Sequence, residues 1–173
     1  MITRRGFLKA IAAGTAIYPF RNAIASIKGD KVFNAYNIHT KESLNAVYFA
    51  SGRYDYSALR EINYFLRCHY TNEVETIDVR LIELISSIHN IFGSDKQLQI
   101  ISGYRSLKYN EYLRSIGRKV SKNSLHLLGL ALDFTIPEID NFELFRAAKS
   151  FRIGGVGLYP EFVHVDTGQI RYW

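Results

Sequence analysis

The stretch 124–134, S-L-H-L-L-G-L-A-L-D-F, restricts what this chain can fold into more than any other. From Leu128 onward it alternates with the period of two that belongs to a β-strand. Leu130, Leu132, Phe134 and Ile136 fall on one side, an apolar face suited to a core. Gly129, Ala131, Asp133 and Thr135 fall on the other, with His126 just upstream in the entering loop. That second face carries almost no bulk except one carboxylate, which leaves space above the sheet for something other than protein. Imidazole and carboxylate are usual ligands of Zn²⁺, and a catalytic zinc keeps one position open for water.

A third ligand is offered near the C-terminal end. Phe162-Val163-His164-Val165-Asp166 alternates again, placing His164 and Asp166 on one face and the valines on the other. His126, Asp133 and His164 together form a two-histidine, one-carboxylate set. The remaining histidines, His39, His69 and His89, have no paired ligand spacing and read as structural or surface residues.

The rest of the chain supports one α+β domain. At 173 residues it is long enough to bury a full core. Strands are expected at 44–49, 97–103, 128–136, 155–159 and 162–167. Amphipathic helices are expected at about 57–69, 79–92 and 107–116, with Gly93 and Gly117 stopping the last two, and Asp140-Asn141-Phe142-Glu143 opens another to Phe151 as a capping-box variant. Residues 26–40 give no clear pattern. Strands interleaved with helices suggest a mostly antiparallel sheet, with helices on one face and a zinc cleft on the other. Gly154-Gly155-Val156-Gly157 lacks the spacing and the setting of a dinucleotide cradle. Cys68, the sole cysteine, rules out an intramolecular disulfide and fits a small buried hydrophobe.

Charge and targeting signals bear on compartment. Four of the 22 basic residues and none of the 16 acidic ones lie in residues 1–25, so the net charge of +6 comes mostly from that segment. The remainder is close to neutral and holds no basic block, which argues against a nucleic-acid partner. Within 1–25, Thr3-Arg4-Arg5-Gly6-Phe7-Leu8-Lys9 and a short, weakly apolar run read as a twin-arginine export signal, closed by Ala23-Ile24-Ala25 as a cleavage site. The apolar run is too short and interrupted to span a membrane. The expectation is a mature domain of 26–173, exported to the periplasm by the twin-arginine machinery, without a stable membrane span and monomeric.

The motif S-x-H-x-x-G-x-A-x-D followed by F-V-H-V-D resembles the zinc peptidases that share a fold with lysostaphin-type enzymes, D-Ala-D-Ala peptidases and the hedgehog signalling domain. Within them it is most similar to the murein endopeptidase K group. The likeness extends through His39-Thr40, Gly52-Arg53-Tyr54, Ser102-Gly103-Tyr104-Arg105-Ser106, Tyr109-Asn110, Asp166-Thr167-Gly168 and Trp173. It implies one zinc ion at His126, Asp133 and His164, and an endopeptidase acting on cross-links or stem peptides of peptidoglycan. Arg105 is expected near the substrate, orienting a peptide stem or steadying an oxyanion, with Ser124 and Tyr104 as further substrate contacts. Two acids compete for the proton-carrying role. Asp166 shares the strand face of His164 and can reach the cleft or brace a ligand, and it is favoured; Glu161 lies three residues before His164 and needs the turn to bring it inward. Rival readings are a cell-wall binding module with a structural zinc, and a dipeptidase or carboxypeptidase of the D-Ala-D-Ala type.

Overall fold

A computed structural model of the chain describes residues 29–93 and 95–173, so the expected leader at 1–25 lies outside the described residues. Among the described residues no helix is long and apolar enough to cross a membrane. The strands are β1 (Lys31–Asn37), β2 (Ser43–Ala50), β3 (Arg53–Tyr54), β4 (Leu98–Ser102), β5 (Ala131–Thr135), β6 (Gly155–Leu158), β7 (Val163–Asp166) and β8 (Arg171–Tyr172). The helices are α1 (Tyr56–Phe65), α2 (Val79–Phe92), α3 (Leu107–Ser115) and α4 (Asn141–Phe151), with a 3-10 turn at Leu125–Leu128.

All eight strands join one mixed sheet in the order β3-β2-β1-β4-β5-β7-β6-β8. The β1–β4 and β6–β8 pairs are parallel and the rest antiparallel, so the α+β expectation holds and the sheet is mostly antiparallel. One side of the sheet carries Phe33, Ala35, Tyr48, Leu98, Ile100, Leu132, Phe134, Val163 and Val165, all essentially buried. Against these pack Ala58, Ile62 and Phe65 of α1, Leu81, Leu84, Ile85 and Ile88 of α2, and Leu144 and Ala148 of α4.

Helix α3 does not share in that core, since Asn110 is its one buried residue. Each helix starts where an acid or hydroxyl can accept from a free backbone N–H: Asp55, Asp78, Ser106 and Asp140 cap α1 to α4 in turn. At Asp140 the reciprocal half of a capping box is missing, because Glu143 faces Arg146 at 3.7 Å instead of reaching back.

Three departures from the sequence reading matter for the site. Strand β1 occupies the patternless region, with Phe33, Ala35 and Asn37 inward. Alanine and asparagine are weak strand formers; the strand exists because β2 and β4 flank it. The strand expected from residue 128 starts at Ala131, since 125–128 closes into a 3-10 turn ended by Gly129 in the left-handed region (φ 65°). A side chain there would also collide with the Thr76 carbonyl, so only glycine fits. Finally, β8 returns beside β6 and carries Arg171 and Trp173 to the sheet end that holds His164.

Candidate metal centre

Strand register puts two of the expected ligands side by side. In the β5–β7 ladder Asp133 faces His164, flanked by Leu132 against Val165 and Phe134 against Val163 on the core side. The same pairing that buries four apolar residues therefore aims a carboxylate and an imidazole away from the core. His126 comes from the 3-10 turn entering β5 and is 3% exposed. His126 Nε2, Asp133 Oδ1 and His164 Nδ1 converge, at 3.3 Å between the two nitrogens, 3.3 Å from Nε2 to Oδ1 and 2.7 Å from Nδ1 to Oδ1.

The outer nitrogens decide which protons are present. His126 Nδ1 lies 2.8 Å from the Gly103 carbonyl, which can only accept, so Nδ1 carries the hydrogen. His164 Nε2 lies 3.2 Å from Asp166 Oδ2 and donates to that carboxylate. In the neutral tautomers two imidazole lone pairs and a carboxylate then face one another with no proton between them. A cation resolves that conflict. Two of the three separations match the ~3.3 Å edge of a tetrahedron with zinc-to-nitrogen or zinc-to-oxygen bonds of about 2.0–2.1 Å. The donor set fits zinc.

In the metal-free site the electrostatics differ from donor to donor, and a proton on His164 Nδ1 takes the cation's place beside Asp133. Burial pushes the Asp133 carboxyl up, but the His126 and His164 imidazoles pull it further down, well below the usual carboxylate range. Burial pushes His126 down, which keeps that imidazole neutral. For His164 burial also opposes the charge, yet its bonds to Asp133 and Asp166 outweigh it and raise its pKa when no metal is present.

The three residues open onto a cleft of about 400 Å³, also lined by Arg105, Lys119, Ser124, Tyr159, Phe162 and Trp173. Trp173 owes its place to Gly157, which stands opposite His164 on the β6 side. Any side chain at 157 would strike the indole ring, whose centroid lies 5.4 Å from that of His164. The indole N–H donates to the Tyr159 hydroxyl at 2.9 Å.

The residues expected to act on substrate divide into two groups. Arg105 and Ser124 line the cleft. Tyr104, Glu161 and Asp166 do not: Tyr104 is half-buried against the core, and Glu161 is exposed on the turn closed by the Tyr159 N–H to Phe162 carbonyl bond. Asp166 is 0% exposed and its oxygens are fully engaged. Oδ1 accepts from the N–H groups of Gly155 (2.9 Å) and Gly168 (2.8 Å), and Oδ2 accepts from Arg171 (2.6 Å) and His164. Burial alone would raise its pKa, but these donors bring it down to about 2. Of its two expected options the geometry gives it the bracing one. Among the described residues Asp133 is the one acid in the cleft lining. Arg171 and Trp173 were not singled out for roles of their own from the sequence; β8, which holds Arg171 and leads into Trp173, is too short to show periodicity.

A buried His–Asp–His donor set on an open cleft, mounted on a mixed sheet, has the donors of a metal site that a substrate can reach. The M15 peptidase family model described as peptidoglycan L,D-endopeptidase MepK matches residues 25–173, and the chain belongs to that family. It is 38% identical over 169 residues to the peptidoglycan L,D-endopeptidase MepK of Escherichia coli K12, covering 96% of this chain and 93% of that protein. It is 34% identical over 170 residues to the probable peptidoglycan L,D-endopeptidase MepK of Haemophilus influenzae, covering 96% and 91%.

Proposed function

We propose that this chain is a zinc peptidase of the cell wall, hydrolysing peptide cross-links of peptidoglycan outside the cytoplasm. The observation that carries the reading is the convergence of His126 Nε2, Asp133 Oδ1 and His164 Nδ1 at a cleft open to solvent. Family membership supplies the kind of bond. His126, Asp133 and His164 would hold zinc, which when bound would supply polarisation of a peptide carbonyl and a water nucleophile near neutral pH.

The protein's own residues do the positioning. The Gly103 carbonyl fixes the His126 tautomer, and Asp166 fixes that of His164, in the manner of carboxylates that orient metal-bound imidazoles. Arg171 in turn holds Asp166 and lies over the Trp173 ring, 5.1 Å from its centroid. Arg105 stands beside Asp133 Oδ2 at 3.7 Å and presents its guanidinium to whatever the cleft admits. Tyr159, Phe162 and Trp173 supply an apolar wall for the peptide. Asp166 serves as a positioning residue for His164 and not as the proton carrier. Export through the twin-arginine route, signalled by Arg4-Arg5, accords with a substrate in the cell wall.

Three protein ligands on an open cleft favour catalysis over the binding-module reading, since structural zinc sites are closed by four. Digesting purified sacculi with the metal-loaded protein and identifying the released muropeptides tests the function. Cross-linked dimers should fall and monomers rise, and His164→Ala should abolish both changes. Release of D-alanine alone, with dimers intact, would replace this reading with a carboxypeptidase.

A further inference from the structure

Among the described residues Arg105 is the buried charge with an unmade hydrogen bond. It is 7% exposed, its Nε–H is buried without a partner, and its remaining contacts are long. Asn110 Oδ1 and Ser102 Oγ accept from it at 3.4 Å each, and Asp133 Oδ2 lies at 3.7 Å. Folded interiors leave few such donors unsatisfied, because each one costs the desolvation of a polar group. The guanidinium also lines the cleft, so an anion there would meet a cation whose hydrogen bonds are long and incomplete.

The way Arg105 is anchored ties it to a second cation. Asn110, 1% exposed, takes the guanidinium on Oδ1 and donates through Nδ2 to the Ser121 carbonyl at 3.0 Å. Ser121 belongs to the loop between α3 and the 3-10 turn, and that loop brings the exposed Lys119 to the cleft wall. Among the described residues Lys119 has no ion pair. The charged lining of the cleft is Arg105, Lys119, Arg171 and Asp133. Arg171 is committed to Asp166 and Asp133 to the metal site. The cleft therefore faces Arg105, whose one ion pair is the long contact to Asp133, and the unpaired Lys119, and among the described residues its lining holds no acid besides Asp133.

We propose that Arg105 and Lys119 form a carboxylate clamp that selects cross-links whose leaving amine bears a free carboxylate next to the scissile bond. The inference rests on the peptidase reading above. In a cross-link to diaminopimelate, the nitrogen released by hydrolysis sits on a carbon that also carries a carboxylate. The guanidinium offers that group a planar fork, and the ammonium adds a mobile point charge. Amidating the carboxylate removes the charge while leaving the shape nearly unchanged.

Two cross-linked peptides that differ only at this carboxylate, one free and one amidated, provide the test. The metal-loaded protein should cleave the free acid with kcat/KM about tenfold to a hundredfold higher, expressed mainly in KM. Lys119→Ala should lose about tenfold on the free acid and nothing on the amide, with Lys119→Arg restoring the difference. Equal rates of the native protein on both peptides, or an equal loss by Lys119→Ala on both, would overturn the clamp. Cleavage of neither peptide would bring down the peptidase reading instead. Calorimetric titration of the same two peptides then decides the clamp: about tenfold tighter binding of the free acid, lost in Lys119→Ala, supports it, and equal affinities overturn it.

Discussion

The two halves of the sheet spend their buried surface differently. In the β3-β2-β1-β4 half, the inward residues Phe33, Ala35, Ala46, Tyr48, Leu98 and Ile100 meet α1 and α2 across one apolar layer. Its buried charge sits at two places: Lys31 and the Tyr54 hydroxyl both serve Glu83, and Arg67 pairs with Glu42. In the β5-β7-β6-β8 half the same apolar layer continues through Leu132, Phe134, Val163, Val165 and Val156. The opposite face there holds a second buried layer, made of His126, Asp133, Asp166 and Arg105. That layer adds little net stability, because burying ionisable groups costs about as much as pairing them returns. What it provides is fixed geometry for three donor atoms.

The sharpest way to test this division uses neighbours on one strand. Phe134→Ala, on the core face of β5, should lower unfolding free energy by about 3–5 kcal/mol while folded molecules still bind one zinc. Asp133→Ala, on the other face, should abolish zinc binding and turnover yet leave much of the metal-free stability. Denaturant melts of the metal-free proteins and elemental analysis of the loaded ones would read both. Similar stability losses in the two variants would erase the distinction between the layers.

A smaller effect is expected one step out from the donors. Asp166→Asn weakens the acceptor that fixes His164 and should reduce zinc affinity by about 10–100-fold. Glu161→Gln should leave zinc affinity and turnover unchanged, because Glu161 is exposed and outside the cleft lining. Competition with a chelator separates these outcomes. A zinc-loaded but inactive Glu161→Gln would return the proton-carrying role to that residue.

The smallest effect belongs to the first half. Glu42 accepts from the Arg67 Nη1 and Nη2 groups at 2.8 and 2.9 Å, which holds its carboxyl below the usual range. Glu42 is partly exposed, so Glu42→Gln should cost at most about 1 kcal/mol. A carboxyl whose folded pKa is depressed contributes stability above its unfolded pKa and loses it as pH falls through the folded one. The gap between native and variant should therefore be full at neutral pH and close in acid. A gap that persisted below the folded pKa would mean that packing, not charge, is responsible.

The convergence of His126, Asp133 and His164 was legible because Asp133 and His164 sit in strong local patterns. Alternation around Asp133 and His164 named both the face and the residues, whereas Gly129 owes its small size to something else, its left-handed turn against the Thr76 carbonyl. The helices were legible for the same reason, with apolar spacing on α2 and an acid at the start of α4. Strand β1 was not, because Ala35 and Asn37 carry no strand preference of their own. The role of Asp166 was open because alternation reports a face but not what fills it.

By itself the sequence determined which side chains could share a face, since that follows from the fixed period of a strand, and so it singled out Asp133 and His164, with His126 joined to them by ligand chemistry and the motif. Only the tertiary structure decided what each polar group meets. The β5–β7 register set Asp133 beside His164, and the return of β8 brought Arg171 onto Asp166 and Trp173 against His164. Those contacts join residues far apart in the chain, and no local periodicity encodes which distant donor will reach a given carboxylate.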